Sequence, residues 1–319
     1  MNRRSLLKHL GLTGLSSVLM GKAAVAEVIL SPATDITNNA KRVLRFAHLT
    51  DVHMQPEKDA PKGLAACLHH LQNQQDRPSL LINTGDCIMD ALRQEKDRVE
   101  TQWTLWHQLM KDENSLPIQY CIGNHDCWGA GEKSDPLYGK KYALDMMRLE
   151  KPYRSFDMVG WHFIVLDSIQ TKSSDGSWYT CQLDEAQYEW LKADLELNKN
   201  KHTVILSHAP IVSAAIVVVD HKGQNDVGYR LNQTAMHTDA ERIIALFDNN
   251  PQVKLALSGH IHLYEEVKYH GVTYISNGAV SGNWWRGSRW GTDNGYALVD
   301  LYEDGTFGNQ YVPYGWKTA

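Results

Sequence analysis

The chain has 319 residues, 43% of them hydrophobic, and a formal net charge of −5. That length buries a large core and suits one big domain or two small ones. Four basic residues, Arg3, Arg4, Lys8 and Lys22, lie in the first 26 positions, which carry no acid. The remainder is therefore more acidic still, which argues against a general binder of nucleic-acid polymers or anionic membranes.

In chain order, Asn2 to Lys8 reads as a twin-arginine-type motif, Leu10 to Gly21 as a mildly apolar segment, and Ala24-Val25-Ala26 as a small-residue cleavage site. Residues 1–26 are thus expected to be an export signal for the twin-arginine machinery, placing the mature protein in the periplasm or outside the cell. The segment is too short and interrupted to span a membrane, and no span is expected in the mature form. Residues 27–41, with Pro32 and Asn38-Asn39, read as a linker, leaving 42–319 as one domain. The cysteines, Cys67, Cys87, Cys121, Cys127 and Cys181, are odd in number and lack a CxxC pair. They read as small buried filler rather than a zinc site.

From Val43 onward, strand-like and helix-like segments alternate. Val43 to Leu49 reads as a strand ending at Asp51-Val52-His53, and Pro61 to Gln75 as a helix. Leu80 to Ile82 is a buried strand ending at Gly85-Asp86, followed by a helix from Leu92 to Met110. Pro117 to Ile122 is a strand ending at Gly123-Asn124-His125-Asp126, then a helix runs from Tyr142 to Leu149. Tyr153 to Asp157 and Trp161 to Asp167 alternate as a hairpin around Val159-Gly160. Leu183 to Leu197 and Thr238 to Phe247 read as helices, and Thr203 to Leu206 as a strand ending at His208. Val253 to Leu257 is a strand ending at Gly259-His260-Ile261-His262, and the tail to Val312 is strand-rich. This alternation predicts a layered α/β fold with a second sheet packed on the first.

Ligands gather at the carboxyl ends of strands in open α/β sheets. Here those ends carry Asp51, His53, Asp86, Asn124, His125, Asp126, His208, His260 and His262. In the pairs Asp51/His53 and His260/His262, residues two apart would share one side of extended backbone and reach one point. Two carboxylates, four histidines and an amide oxygen exceed one tetrahedral ion and suit two metals sharing a carboxylate. Mixed oxygen and imidazole donors favour Mn, Fe, Zn or Co.

The order Asp-Val-His, Gly-Asp, Gly-Asn-His-Asp, a lone His208 and Gly-His-Ile-His resembles the calcineurin-like metallophosphoesterase superfamily over about residues 42–280. Within it the chain is most similar to cyclic-nucleotide phosphodiesterase-like members. The resemblance implies a four-layer α/β/β/α sandwich of two packed mixed sheets with a dimetal site at strand ends. It implies that Asp51, His53 and His262 hold one metal, that Asn124, His208 and His260 hold the other, and that Asp86 bridges them. His125 would protonate the leaving oxygen rather than bind metal, and Asp126 would orient the His125 ring.

Two loops are expected to select substrate. Ile211 to Thr234 contains Asp220, His221, Tyr229 and Arg230, and Gly282 to Gly291 contains Trp284, Arg286 and Arg289. The expected activity is attack of a metal-activated water on a small phosphodiester, cyclic nucleotides among the candidates. The alternative is a phosphomonoesterase acting on small phosphates or phosphoproteins. A non-catalytic scaffold would have lost ligands or His125, and none is lost. The oligomeric state is left open.

Overall fold

A computed structural model describes residues 40–171, 178–219, 231–317 and, by backbone only, 224–225 and 228–229. The expected signal over 1–26 and nearly all of the linker lie outside the described residues.

The elements follow one another as β1 (Arg42–Leu49), α1 (Ala60–Gln72), β2 (Leu81–Asn83), α2 (Lys96–Glu113), β3 (Ile118–Tyr120) and α3 (Lys140–Met147). Next come β4 (Arg154–Met158), β5 (Trp161–Val165), β6 (Ile169–Thr171), β7 (Tyr179–Cys181), α4 (Glu185–Leu197) and β8 (Thr203–Leu206). Then follow α5 (Ile216–Val219), β9 (Gln224–Asn225), β10 (Gly228–Tyr229), α6 (Ala240–Asp248) and β11 (Val253–Ser258). The chain closes with β12 (Glu265–Tyr269), β13 (Val272–Ser276), β14 (Gly295–Tyr302) and β15 (Phe307–Pro313).

Two mixed sheets result, ordered β15-β14-β1-β2-β3 and β12-β13-β11-β8-β5-β4. Strands β1, β2 and β3 run parallel in the first, and β5, β8, β11 and β13 in the second. Side-chain alternation sends each strand's residues to two different cores. Phe46, Ile82 and Val299 of one sheet meet Phe163, Val204, Leu206 and Leu255 of the other, with Phe46 and Phe163 edge to face at 6.2 Å. The outward neighbours Ala47, Leu49 and Leu81 face Leu64, Leu68, Trp103 and Trp106 of α1 and α2. Ile205 and Ala256 likewise face Leu191, Leu195, Ile243 and Phe247 of α4 and α6. Four layers follow, as expected.

Several boundaries differ from expectation: α1 ends at Gln72 rather than Gln75, and α3 spans Lys140–Met147 rather than Tyr142 to Leu149. The helix expected from Leu92 starts at Lys96, because the Gln102 side chain accepts from the Asp90 amide and donates to the Asp90 carbonyl, holding that segment as a loop. The segment after Ile211 carries α5 and the β9–β10 ribbon rather than an unstructured connector. All five cysteines are buried and unpaired. Among the described residues no helix is long and apolar enough to cross a membrane.

His48 is fully buried inside β1, with Nδ1 accepting from Asn277 at 2.7 Å and Nε2 donating to Thr84 at 2.8 Å. Burial pushes its pKa from 6.5 down to about 3, against a weaker pull from Asp51. The unfolded chain therefore takes up the proton first, and folding stability falls as pH drops through that window. The stability gap between wild type and His48→Gln should narrow or invert by roughly 1.4 kcal/mol per pH unit below about pH 6. Urea unfolding of both proteins from pH 7 to pH 4 measures this, and parallel curves would show that the fold does not lower the His48 pKa.

Candidate metal centre

Each of five parallel strands delivers its next loop to one place. β1 leads to Asp51 and His53, β2 to Asp86, β3 to Asn124, β8 to His208, and β11 to His260 and His262. Asp51, His53 and His262 form one cluster of potential metal donors, and Asp86, His208 and His260 another. A third cluster joins His53, Asp86 and His125, so Asp86 is shared.

The convergence has a different backbone origin from the one expected. Asp51 (φ 52°), His53 (φ 51°), Asp86 (φ 55°), His260 (φ 69°) and His262 (φ 59°) are all left-handed rather than extended. Such residues cost about 1–3 kcal/mol each and persist only where their surroundings hold them. Here the surroundings do so with hydrogen bonds. The Asp51 carbonyl accepts from the Ser281 hydroxyl at 2.7 Å, and the His53 carbonyl from the Trp285 indole at 3.0 Å. Gly259 and Gly123 allow the approach: a Cβ at Gly259 would strike Thr50 and the Asp51 carboxylate, and one at Gly123 would strike Asp86.

The carboxylates are aimed. Asp51 Oδ2 accepts from the Thr50 hydroxyl at 2.6 Å and the His260 amide at 2.8 Å. Its Oδ1 is buried without a hydrogen-bond partner and lies 3.3 Å from His262 Nε2. Asp86 Oδ1 accepts from the His125 amide at 2.8 Å, which leaves Oδ2 3.4 Å from His208 Nε2 and 3.7 Å from His53 Nε2. Asp86 Oδ2 therefore stands between the two clusters.

Three of the four imidazoles are aimed by backbone carbonyls, whereas His53 Nδ1 is buried without a hydrogen-bond partner. His208 Nδ1 faces Thr84 O at 2.8 Å, His260 Nε2 faces Thr234 O at 2.7 Å, and His262 Nδ1 faces Gly282 O at 2.6 Å. With N–H donated there, the opposite nitrogen of each ring, when neutral, is a lone pair turned inward. Those inward atoms crowd together. His53 Nε2 and His262 Nε2 are 3.0 Å apart, His208 Nε2 and His260 Nδ1 3.1 Å, and Asn124 Oδ1 lies 3.0 Å from His208 Nε2. Lone pairs packed this closely, beside an orphaned carboxylate oxygen, fit a cation between them. No sequence signal announces those carbonyls, since every residue has one.

The electrostatics agree. Burial opposes ionisation of Asp51 and Asp86, yet the neighbouring histidines hold both carboxyls below the usual range. Burial also opposes a charge on His208, but Asp86 pushes it up to about 9. His260 is held down at about 4 by burial and by His208. Without a cation, Asp86 thus draws a proton onto His208, and a bound cation would take that proton's place.

The Gly123–Asp126 turn corrects one expectation. Asp126 does not bond the His125 ring. Its carboxylate accepts four backbone N–H groups: Gly123 and Asp86 on Oδ2, both at 2.9 Å, and Cys87 at 2.9 Å and Ile88 at 3.4 Å on Oδ1. It ties the loop after β3 to the loop after β2. The ring of His125 is held instead through Nδ1 by the Met89 carbonyl.

The substrate loops are placed as follows. Trp284 lies at the centre, its ring 4.5 Å from His262 and 6.0 Å from His53. The Arg289 guanidinium sits 4.6 Å over that indole. Arg286 is exposed and its charge acts on Lys58, so of the two it is Arg289 that lies over Trp284. Tyr229 lies on the β9–β10 ribbon, described by backbone only, while Asp220, His221 and Arg230 fall outside the described residues.

The model of the calcineurin-like phosphoesterase family matches residues 44–264. A 3′,5′-cyclic-nucleotide phosphodiesterase of Nostoc sp. is 28% identical over 86% of this chain and 95% of its own length. The 3′,5′-cyclic adenosine monophosphate phosphodiesterase CpdA of Escherichia coli is 24% identical over 72% of this chain and 73% of its own. Among solved structures, a dimetal phosphatase from Danio rerio superposes with a TM-score of 0.61 at 14% identity, covering 86% of this chain and all of that one. GAP50, the anchor in the inner membrane complex of Plasmodium, superposes at 0.55 with 17% identity, covering 86% of each chain. These superpositions concern the fold alone.

Proposed function

This chain belongs to the calcineurin-like phosphoesterase family, and from that we propose that it is an exported two-cation hydrolase of small phosphodiesters. The observation that carries the reading is Asp86 Oδ2, standing between a donor set of Asp51, His53 and His262 and one of Asn124, His208 and His260. Two cations held there would neutralise phosphate oxygens and make bound water acidic. Asp51 and Asp86 supply the anionic oxygens that hold them, and the carbonyl-anchored histidines keep their free nitrogens inward. His125, anchored through Nδ1, turns Nε2 to the departing oxygen and gives it a proton. Trp284 and Arg289 receive the substrate from the His262 side.

Preference for diesters over monoesters is supported by the relatives named as cyclic-nucleotide phosphodiesterases. The export reading rests on Arg3-Arg4 and Ala24-Val25-Ala26 alone. The test is turnover by the metal-reconstituted mature protein of bis(p-nitrophenyl) phosphate, p-nitrophenyl phosphate and a 3′,5′-cyclic nucleotide. The diesters should turn over faster than the monoester. The reverse order makes it a monoesterase, and no turnover with metal bound would favour the scaffold reading.

A further inference from the structure

A cavity of about 250 Å³ opens beside His260, on the flank of the cluster formed by Asp86, His208 and His260. Tyr179 of β7, Ile216 and Val219 of α5, Ala235 and Ile261 make its apolar walls, and Asn232 and Thr234 add polar atoms. Among the described lining residues there is no lysine, arginine, aspartate or glutamate.

The walls are built into the centre. Ile216 and Ile261 pack with Leu263 in a small apolar cluster, against which Val219 and Ala235 lie. The Tyr179 ring is edge-on to His260, with centroids 6.4 Å apart and planes at 79°. Thr234, in the wall, supplies the carbonyl that anchors His260. An ester held by the centre therefore has this space against one of its groups. A second phosphate, a carboxylate or an amine placed there would lose water and gain no countercharge from the described walls. The volume is below the range of pockets that enclose whole drug-sized ligands, roughly 300–1,000 Å³, so the cavity suits one group of the substrate rather than all of it.

We propose that this cavity is a specificity pocket that takes one uncharged, mostly apolar ring of the substrate's ester group. The proposal rests on reading the neighbouring centre as a phosphoester site. Calorimetric titration of the metal-reconstituted protein with phenylphosphonate and methylphosphonate tests it, since the two anions share a head group and differ in the ring. Wild type should bind phenylphosphonate more tightly, by on the order of tenfold. Val219→Trp and Ala235→Trp each fill the cavity and should bring the ratio close to one with methylphosphonate affinity unchanged. Trp284→Ala, at the substrate-receiving flank, should lower both affinities together and leave their ratio in place. Equal affinities in wild type, a ratio that survives both filling variants, or a ratio that disappears in Trp284→Ala overturns the pocket. If neither anion binds and no ester is turned over, it is the phosphoester reading that fails, and the pocket with it.

Discussion

His125→Ala should turn over an activated diester about 10²–10⁴-fold more slowly than wild type while keeping its metal. The ring of His125 is anchored by the Met89 carbonyl, and its amide holds Asp86 Oδ1. Alanine keeps that amide, so Asp86 remains aimed and only the imidazole is lost. Because His125 also clusters with His53 and Asp86, metal content decides between proton donor and ligand. Elemental analysis beside kcat makes the distinction, and loss of an equivalent of metal would assign His125 to the donor set. The leaving group provides a second reading. Loss of an acid hurts a poor leaving group more than p-nitrophenolate, so the deficit should widen with an alkyl ester. A deficit independent of the leaving group would argue for a purely positional role.

Asp126→Ala should destabilise the fold itself. It leaves four N–H groups, of Gly123, Asp86, Cys87 and Ile88, without their acceptor in a buried site. At about 1–3 kcal/mol for each donor left unsatisfied, partly relieved by relaxation, the loss should be on the order of 4 kcal/mol. Tm should fall by roughly 10 °C. Asp126→Asn keeps one acceptor oxygen and should fall between. Thermal unfolding followed beside kcat separates this from a role in orienting His125. An unchanged Tm with a large fall in kcat would restore the orienting role, and the carboxylate would then be no staple between loops.

Particular residues show how far the site was legible. Asp51, His53, Asp86, Asn124, His208, His260 and His262 were found from sequence because apolar runs mark strands and polar residues at their ends stand out against them. The structure brings all seven together. What misled was local reasoning about backbone and neighbours. Asp51 and His53 converge through left-handed turns, not through an extended strand. Asp126, next in sequence to His125, bonds the backbone of another loop. Arg286 and Arg289 are three apart in one loop, and only the fold shows which of them lies over Trp284.

The sequence by itself determined the two-sheet architecture, the strand ends that would meet and the donor chemistry there, because hydrophobic periodicity and residue type are local properties that each position carries. Only the tertiary structure decided which nitrogen His208, His260 and His262 turn inward, what Asp126 does, and that a cavity whose described walls carry no lysine, arginine, aspartate or glutamate adjoins His260. Those depend on carbonyls of Thr84, Met89, Thr234 and Gly282 and on walls drawn from distant segments. A carbonyl is the same at every residue, so its partner is set by where the chain passes and not by which residue carries it.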